Sequence, residues 1–156
     1  MNTIDDILRH VADSDPRRSA LTFEGRTHTY EELDRSTNRL ARALADLGAG
    51  PGDRVAFLGR NRAEHFEIIF AVAKLGAISV GMNWRLSAAE LAAQLTDCTP
   101  KVVLGSSAVS GLVADALSRL SDPPLVIDLD DTGSDGYAAR LAAQADTILP
   151  IVSRAD

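Results

Sequence analysis

The run Arg54-Val55-Ala56-Phe57-Leu58-Gly59 constrains the fold more than any other stretch of this chain. It opens on an arginine, closes on a glycine, and has no polar face between them. A strand with one side in water alternates apolar and polar residues. A strand without alternation is covered on both sides, as in a parallel sheet between helical layers. Three more strand-like runs follow: Ala77-Ile78-Ser79-Val80-Gly81-Met82, Lys101-Val102-Val103-Leu104-Gly105, and Leu125-Val126-Ile127-Asp128-Leu129, entered through Pro123-Pro124. Helical periodicity fills the gaps. Strand, helix, strand at this spacing implies parallel pairing and right-handed crossovers. The expectation is an α/β fold: one open, mostly parallel sheet with helices on both faces. No linker or internal repeat divides residues 1–156, which read as a single domain.

An N-terminal helix and a hairpin precede the sheet. Ile4, Ile7, Leu8 and Val11 share one helical face over residues 3–11, and Pro16 ends that region. Leu21-Thr22-Phe23 and Thr27-His28-Thr29-Tyr30 are β-prone runs flanking Glu24-Gly25-Arg26, a hairpin with glycine at the turn. Thr29 with Glu32, and Ser87 with Glu90, have the three-residue spacing of a capping box. Asn61 with Glu64 offers another helix start. Leu33, Leu40, Leu44 and Leu47 mark the buried stripe of one helix, Leu91 and Leu95 that of another, and Val113, Leu117 and Leu120 that of a third. The helix through Phe66, Ile68, Ile69, Phe70 and Val72 is apolar around most of its girth, which predicts deep burial. Residues 130–136 read as a mobile acidic loop, and 137–145 as a last helix.

Composition narrows the function classes. Acidic residues outnumber Lys and Arg by 22 to 16, a net charge of -6. Nucleic acid and anionic membranes need a basic surface to release counterions, so the charge balance argues against both as partners. A local site can still bind a small anion. Cys98 is the single cysteine, so there is no internal disulfide and no all-cysteine metal site. The first ten residues carry Asp5 and Asp6 and lack a basic start and apolar run. The most apolar window, 66–80, is broken by Lys74 and Gly76, so no transmembrane helix is expected. These features predict a soluble, cytoplasmic protein.

Each candidate for chemistry has a plainer structural reading. Gly48-Ala49-Gly50-Pro51-Gly52 follows a helix and opens a strand. A phosphate-binding loop has the reverse order, so a helix stop is the better reading. His10, His28 and His65 have no partner at metal-ligand spacing. Cys98 lies at a helix end, where the dipole raises a thiol's pKa, and reads as a quiet, half-buried thiol. The run Asp128-Leu129-Asp130-Asp131 could ligate a cation, but a solvated loop at a strand end accounts for it better. Asn83-Trp84-Arg85 is the most informative stretch. It follows a predicted central strand, at the end where ligands collect in open α/β sheets, and holds the only tryptophan. Its structural reading has Asn83 shaping the turn, Trp84 covering a helix end and Arg85 binding carbonyls or an acid.

Read as whole phrases over residues 20–104, the chain resembles the N-terminal part of an adenylate-forming (AMP-binding) acyl-CoA synthetase, or fatty-acid–CoA ligase. The phrases are Leu21-Thr22-Phe23-Glu24-Gly25 leading to Thr29-Tyr30-Glu31-Glu32-Leu33, Pro51-Gly52-Asp53-Arg54-Val55, Asn61 before the apolar helix, Lys74-Leu75-Gly76-Ala77, and Asn83-Trp84-Arg85-Leu86-Ser87 with Glu90-Leu91. The last is the most specific. The resemblance implies the N-terminal subdomain of that fold. It also implies a parent enzyme that converts a carboxylic or fatty acid, ATP and CoA to acyl-CoA, AMP and pyrophosphate, with Mg, ATP and CoA as its cofactors.

The family's phosphate-binding Ser/Thr/Gly-rich loop, Thr-Glu pair, ribose-binding Asp and catalytic Lys have no counterpart in these residues. Residues 145–156 fall where the family approaches its phosphate loop. No catalytic, cofactor-binding or metal residue is therefore assigned, and the segment alone is expected to be inactive and to bind none of the cofactors. The remainder of the parent enzyme is its expected partner, with self-association through uncovered faces. The alternatives are a free-standing, non-catalytic α/β binding module, or part of another adenylate-forming enzyme such as a peptide-synthetase adenylation domain or a luciferase.

Overall fold

A computed structural model describes residues 3–149. Residues 150–156 and the first two lie outside it, so the expected approach to a phosphate loop is described only as far as Leu149. In chain order the elements are α1 (Ile4–Ser14), β1 (Ser19–Phe23), β2 (Arg26–Thr29), α2 (Tyr30–Asp46), β3 (Arg54–Leu58), α3 (Ala63–Lys74), β4 (Ile78–Met82), α4 (Ala88–Cys98), β5 (Val102–Gly105), α5 (Ser110–Leu117), β6 (Leu125–Asp128) and α6 (Tyr137–Ala142). A 3-10 turn, Ser107–Val109, leads into α5.

Strands β3 to β6 form one parallel sheet in the order β4-β3-β5-β6. The unalternating run at β3 is explained by its place: it is hydrogen-bonded on both sides, and Val55 to Leu58 are all buried. Alternate residues feed two separate cores. Val55, Phe57, Val102 and Leu104 meet Leu40 and Leu44 of α2 and Ile68 and Val72 of α3. Ala56, Leu58 and Val103 meet Leu91 and Leu95 of α4 and Val113 and Ala116 of α5. Helices thus cover both faces, as expected from the sequence.

One placement differs from that expectation. The strand before Asn83, read as central, is an edge strand. The chain leaves β4 through α4 and crosses behind β3, so β5 pairs with the far side of β3 and β4 has one neighbour among the described residues.

The hairpin forms with Glu24 (φ 48°) and Gly25 (φ 79°) as its two-residue turn. Positive φ at both positions is the type I′ geometry that matches strand twist, and glycine takes the second without a Cβ penalty. Both predicted capping boxes are present: Glu32 N–H donates to Thr29 Oγ1, and Glu90 N–H to Ser87 Oγ. The third predicted start is not. Helix α3 begins at Ala63 after Arg62, and the Glu64 carboxylate receives the Arg62 guanidinium instead of a cap N–H.

Helix α1 runs on to Ser14, and only Leu8 of its apolar stripe is buried. Ile4 and Ile7 are about half exposed, at 47% and 50%. Phe66, on the helix read as apolar all round, is 51% exposed, because α3 meets the sheet only through the side carrying Ile68, Ala71 and Val72. Helix α5 stops at Leu117, short of Leu120, and α6 at Ala142.

Helices α2 and α3 are joined by a buried polar knot. The Lys74 ammonium donates to Asp34 Oδ1 (2.7 Å), Asn38 Oδ1 (2.7 Å) and the Asp34 carbonyl (3.2 Å), which uses its three protons. Burial pushes the Lys74 amine down from its ordinary pKa, and Asp34 opposes that shift. Breaking one side of such a pair strands the other charge out of water. Lys74→Ala is expected to cost about 3–5 kcal/mol, read by equilibrium denaturation. A loss within error would show that Asp34 and Asn38 rehydrate freely.

Candidate active site

Two neighbouring strands send their following helices to opposite faces. After β3 the chain turns to α3 in one layer, and after β5 it turns to α5 in the other. The loops part there and leave a crevice beyond the carboxyl ends of the strands, where open α/β sheets bind ligands. The structure has a cleft of about 1070 Å³ at this place. Its walls come from the hairpin (Arg26, His28), α2 (Ser36, Arg39), the loop after β3 (Arg60 to Glu64), Trp84, Ser106 after β5, Asp130 after β6, and Tyr137. The glycine-rich stretch 48–52 lies at the amino end of β3, away from this cleft, and is the turn between α2 and β3.

Asn83-Trp84-Arg85 reaches the rim. Asn83 Oδ1 accepts the Arg85 N–H (3.0 Å), the turn-shaping role expected of it. Trp84 is half-buried against the core of α4 and α5 and lines the cleft. Arg85 departs from expectation: it binds neither carbonyl nor acid, and its guanidinium lies over the Trp84 ring, 4.4 Å from the centroid. The Arg60 guanidinium also lies over that ring, at 4.7 Å. Neither has a carboxylate partner among the described residues. Arg60 was missed from the sequence; its position directly after the Gly that ends the buried strand was the available signal.

The loop at 130–136 is anchored at its first residue, Asp130. Arg62 bridges it to α3, with Nη1 on Asp130 Oδ1 (2.9 Å) and Nε on Glu64 Oε2 (2.8 Å). Asp130 Oδ2 accepts the Ser107 N–H, and Ser107 Oγ donates to Asp128 Oδ2. Arg62 holds the Glu64 carboxyl below its usual pKa, and the Ser107 N–H does the same for Asp130. Gly136 closes the loop, since a Cβ there would stand 2.0 Å from the Asp131 carbonyl oxygen. Asp128 and Asp130 are thus engaged by protein donors. Among the described residues no group of acids, histidines or cysteines could hold a metal ion.

At the inner end of the cleft, Glu67 is buried and accepts hydrogen bonds from Ser36 Oγ (2.7 Å) and the Tyr137 hydroxyl. Burial pushes the Tyr137 phenol well above its ordinary pKa, and the Glu67 charge adds to the effect. Arg39 Nε is buried with no hydrogen-bond partner among the described residues. The other candidates are structural. His65 stacks on Phe57 with ring centroids 4.2 Å apart. Cys98 is half-buried at the end of α4, and burial is the main cause raising its pKa.

Two predictions follow from these contacts. Trp84→Ala removes a half-buried aromatic and two guanidinium–ring contacts. Full burial of such a ring is worth about 3–5 kcal/mol, so a loss of about 2 kcal/mol is expected, measured by thermal unfolding. An unchanged melting temperature would make Trp84 a ligand contact only. Burial lowers the His65 pKa below 6.5. Above 6.5 the ring is neutral in both folded and unfolded chains. As pH falls below 6.5 the unfolded chain takes up the proton first, so stability declines down to the folded pKa. His65→Phe should flatten that part of a stability–pH profile; an unaltered slope would assign it to other groups.

Comparison with known proteins supplies the lineage. The model of the family described as "AMP-binding enzyme" matches residues 8–150. The long-chain-fatty-acid–CoA ligase FadD13 of Mycobacterium tuberculosis is 38% identical over 148 residues, 93% of this chain and 29% of that protein. The fatty acid–[acyl-carrier-protein] ligase ScoC of Streptomyces coeruleorubidus is 48% identical over 86 residues, 55% of this chain and 17% of that protein. Among solved structures, the N-terminal domain of FACL13 from M. tuberculosis superposes with a TM-score of 0.83 at 31% identity, covering 97% of this chain and 38% of that one. The chain therefore spans less than a third of the length of these two ligases. With the parallel sheet and its cleft in the same N-terminal region, the chain belongs to the AMP-binding enzyme family.

Proposed function

We propose that this chain is the N-terminal part of an AMP-forming acid–thiol ligase, which activates a carboxylic or fatty acid with ATP and passes the acyl group to CoA. The observation that carries this reading is the 38% identity to a long-chain-fatty-acid–CoA ligase across 93% of the chain.

The cleft suits a supporting role in that chemistry. Arg60 and Arg39 Nε in its lining, and Arg85 over the Trp84 ring, are donors without a protein acceptor among the described residues. An anionic or carbonyl-bearing ligand would supply one. Phosphoryl chemistry also needs cations clamped around the transferring group and an oriented nucleophile. The described residues fit no metal ion and bring neither lysine to the cleft. The chain's share in the reaction is to bind and orient.

Carboxylate-dependent ATP–pyrophosphate exchange tests the reading. The purified 156-residue chain is expected to show none. The reading frame continued past residue 156 is expected to show exchange with one or more fatty or aromatic acids. Exchange that follows the 156-residue chain through purification would overturn the assignment of the chemistry to residues outside it.

A further inference from the structure

We infer that residues 131–149 are a flap over the inner end of the cleft, latched by side chains and able to open as one unit while the sheet stays folded. The inference rests on the reading of the cleft as the binding site of a ligase, and it adds how the inner end is reached.

The segment carries one wall of the cleft. Tyr137, Ala138, Leu141 and Ala142 of α6 line it, together with Ser36 of α2 and Glu67 of α3. Its attachment differs from that of the other sheet-covering helices. Each of α2 to α5 runs on into a strand of the sheet, whereas α6 runs into residues 143–149, which form neither helix nor strand. Helix α6 has six residues and buries Tyr137 alone. The main-chain hydrogen bonds beyond Asp131 stay within the segment: Gly136 N–H to the Gly133 carbonyl, Arg140 to Gly136, Ala143 to Ala139, and Gln144 to Leu141. The last such bond back toward the sheet joins Asp131 N–H to the Asp128 carbonyl at 3.4 Å.

Side chains close the flap at two places. The outer latch is a row on α2 at four-residue spacing, Asn38, Arg42 and Asp46. Asn38 Nδ2 donates to the Asp146 carbonyl (2.9 Å), and Asp46 Oδ2 accepts from Gln144 Nε2 (2.7 Å). The Arg42 guanidinium donates to the Thr147 carbonyl (3.0 Å), the Thr147 hydroxyl (2.9 Å) and the Ile148 carbonyl (3.1 Å). The inner lock is the Tyr137 hydroxyl on the buried Glu67 carboxylate. Opening breaks no sheet ladder. It uncovers Tyr137 and Leu141, and returns the Glu67 carboxylate to water, which offsets part of the lost packing. The flap therefore opens at a lower free energy than the chain unfolds.

The test is amide hydrogen exchange at increasing urea, on the 156-residue chain and on the longer reading frame. A helix this short does not persist off its support, so opening exposes its amides. Those of Arg140 and Ala143 should exchange on the order of 100-fold faster than those of β3, and with little dependence on urea. Arg42→Gln, at the surface and beyond α6 from Tyr137, should speed both amides about tenfold. It should speed nitration of Tyr137 by tetranitromethane equally and leave Tyr30 unchanged. Gln144→Ala should move the same rates by a smaller factor. Exchange of α6 with the urea dependence of β3, in either protein, would overturn the inference. So would an Arg42→Gln effect confined to residues 145–149, which would mark a fraying end. Pyrophosphate exchange on the longer protein judges the ligase reading separately. Activity with α6 exchanging as β3 does sinks the flap alone, and flap opening without activity sinks the ligase reading alone.

Discussion

Burial of β3 on both faces is the constraint from which the rest follows. Its four apolar residues can be taken from water only if helices cover both sides and strands bond both edges. Helix α3 supplies one cover on the way to β4. The return through α4 supplies the other and delivers β5 to the free side of β3. Right-handed crossovers allow this only by reversing direction in the sheet. That reversal parts the loops after β3 and β5. The cleft is thus a consequence of covering one strand twice, and Arg60, one residue past Gly59, and Ser106 line it because they lie in the loops that leave those two strands.

Apolar packing favours contact without prescribing direction. Here polar contacts out of water set the positions. Lys74 locks α3 to Asp34 and Asn38 of α2, and Asn38 also holds the Asp146 carbonyl at 2.9 Å. Glu67 on the same helix takes Ser36 from α2 and Tyr137 from α6. At the surface, Arg42 donates to the Thr147 carbonyl and hydroxyl. A misregistered helix would leave the Lys74, Asn38 and Glu67 groups without these partners away from water, which is costly. The three helices lining one side of the sheet are therefore held by directional contacts, and the inner wall of the cleft inherits that definition.

Much of this was legible in the residues, for reasons that differ by element. Capping boxes and the hairpin turn are local, so Thr29 with Glu32, Ser87 with Glu90 and Glu24-Gly25 form as read. The two-sided burial of β3 showed in its lack of alternation. What failed depended on partners remote in sequence. Asn61 lost the helix start because Arg62 found Glu64 and Asp130, 68 residues away, and the same contact anchors the first residue of the loop at 130–136. Edge or central position depends on strand order, which periodicity does not encode; hence the misplacement of β4. Of the site, the sequence marked Trp84 as interesting but not Arg60, since a lone arginine after a glycine has no signature until the fold brings it over the ring. The buried Glu67, on an apolar helix, likewise gave no warning of its two hydroxyl partners.

The electrostatics of the cleft run against those of the whole chain. A net charge of -6 would repel an anionic ligand if the acids were evenly placed and free. Around the cleft most are neither. Glu32 caps α2, Glu64 and Asp130 share Arg62, and Glu67 is closed in by two hydroxyls. Glu24 alone among the lining acids keeps an open carboxylate, against Arg26 and Arg60, which line the same space without an ion-pair partner among the described residues. A carboxylate already accepting hydrogen bonds from the protein offers little to a ligand except its distant charge, whereas an unengaged guanidinium offers both charge and fixed donors. Salt screens the distant repulsion beyond about 8–10 Å and leaves direct contacts largely intact. What the structural ties leave over around the cleft is thus mainly guanidinium, Arg26 and Arg60 against the one open carboxylate of Glu24.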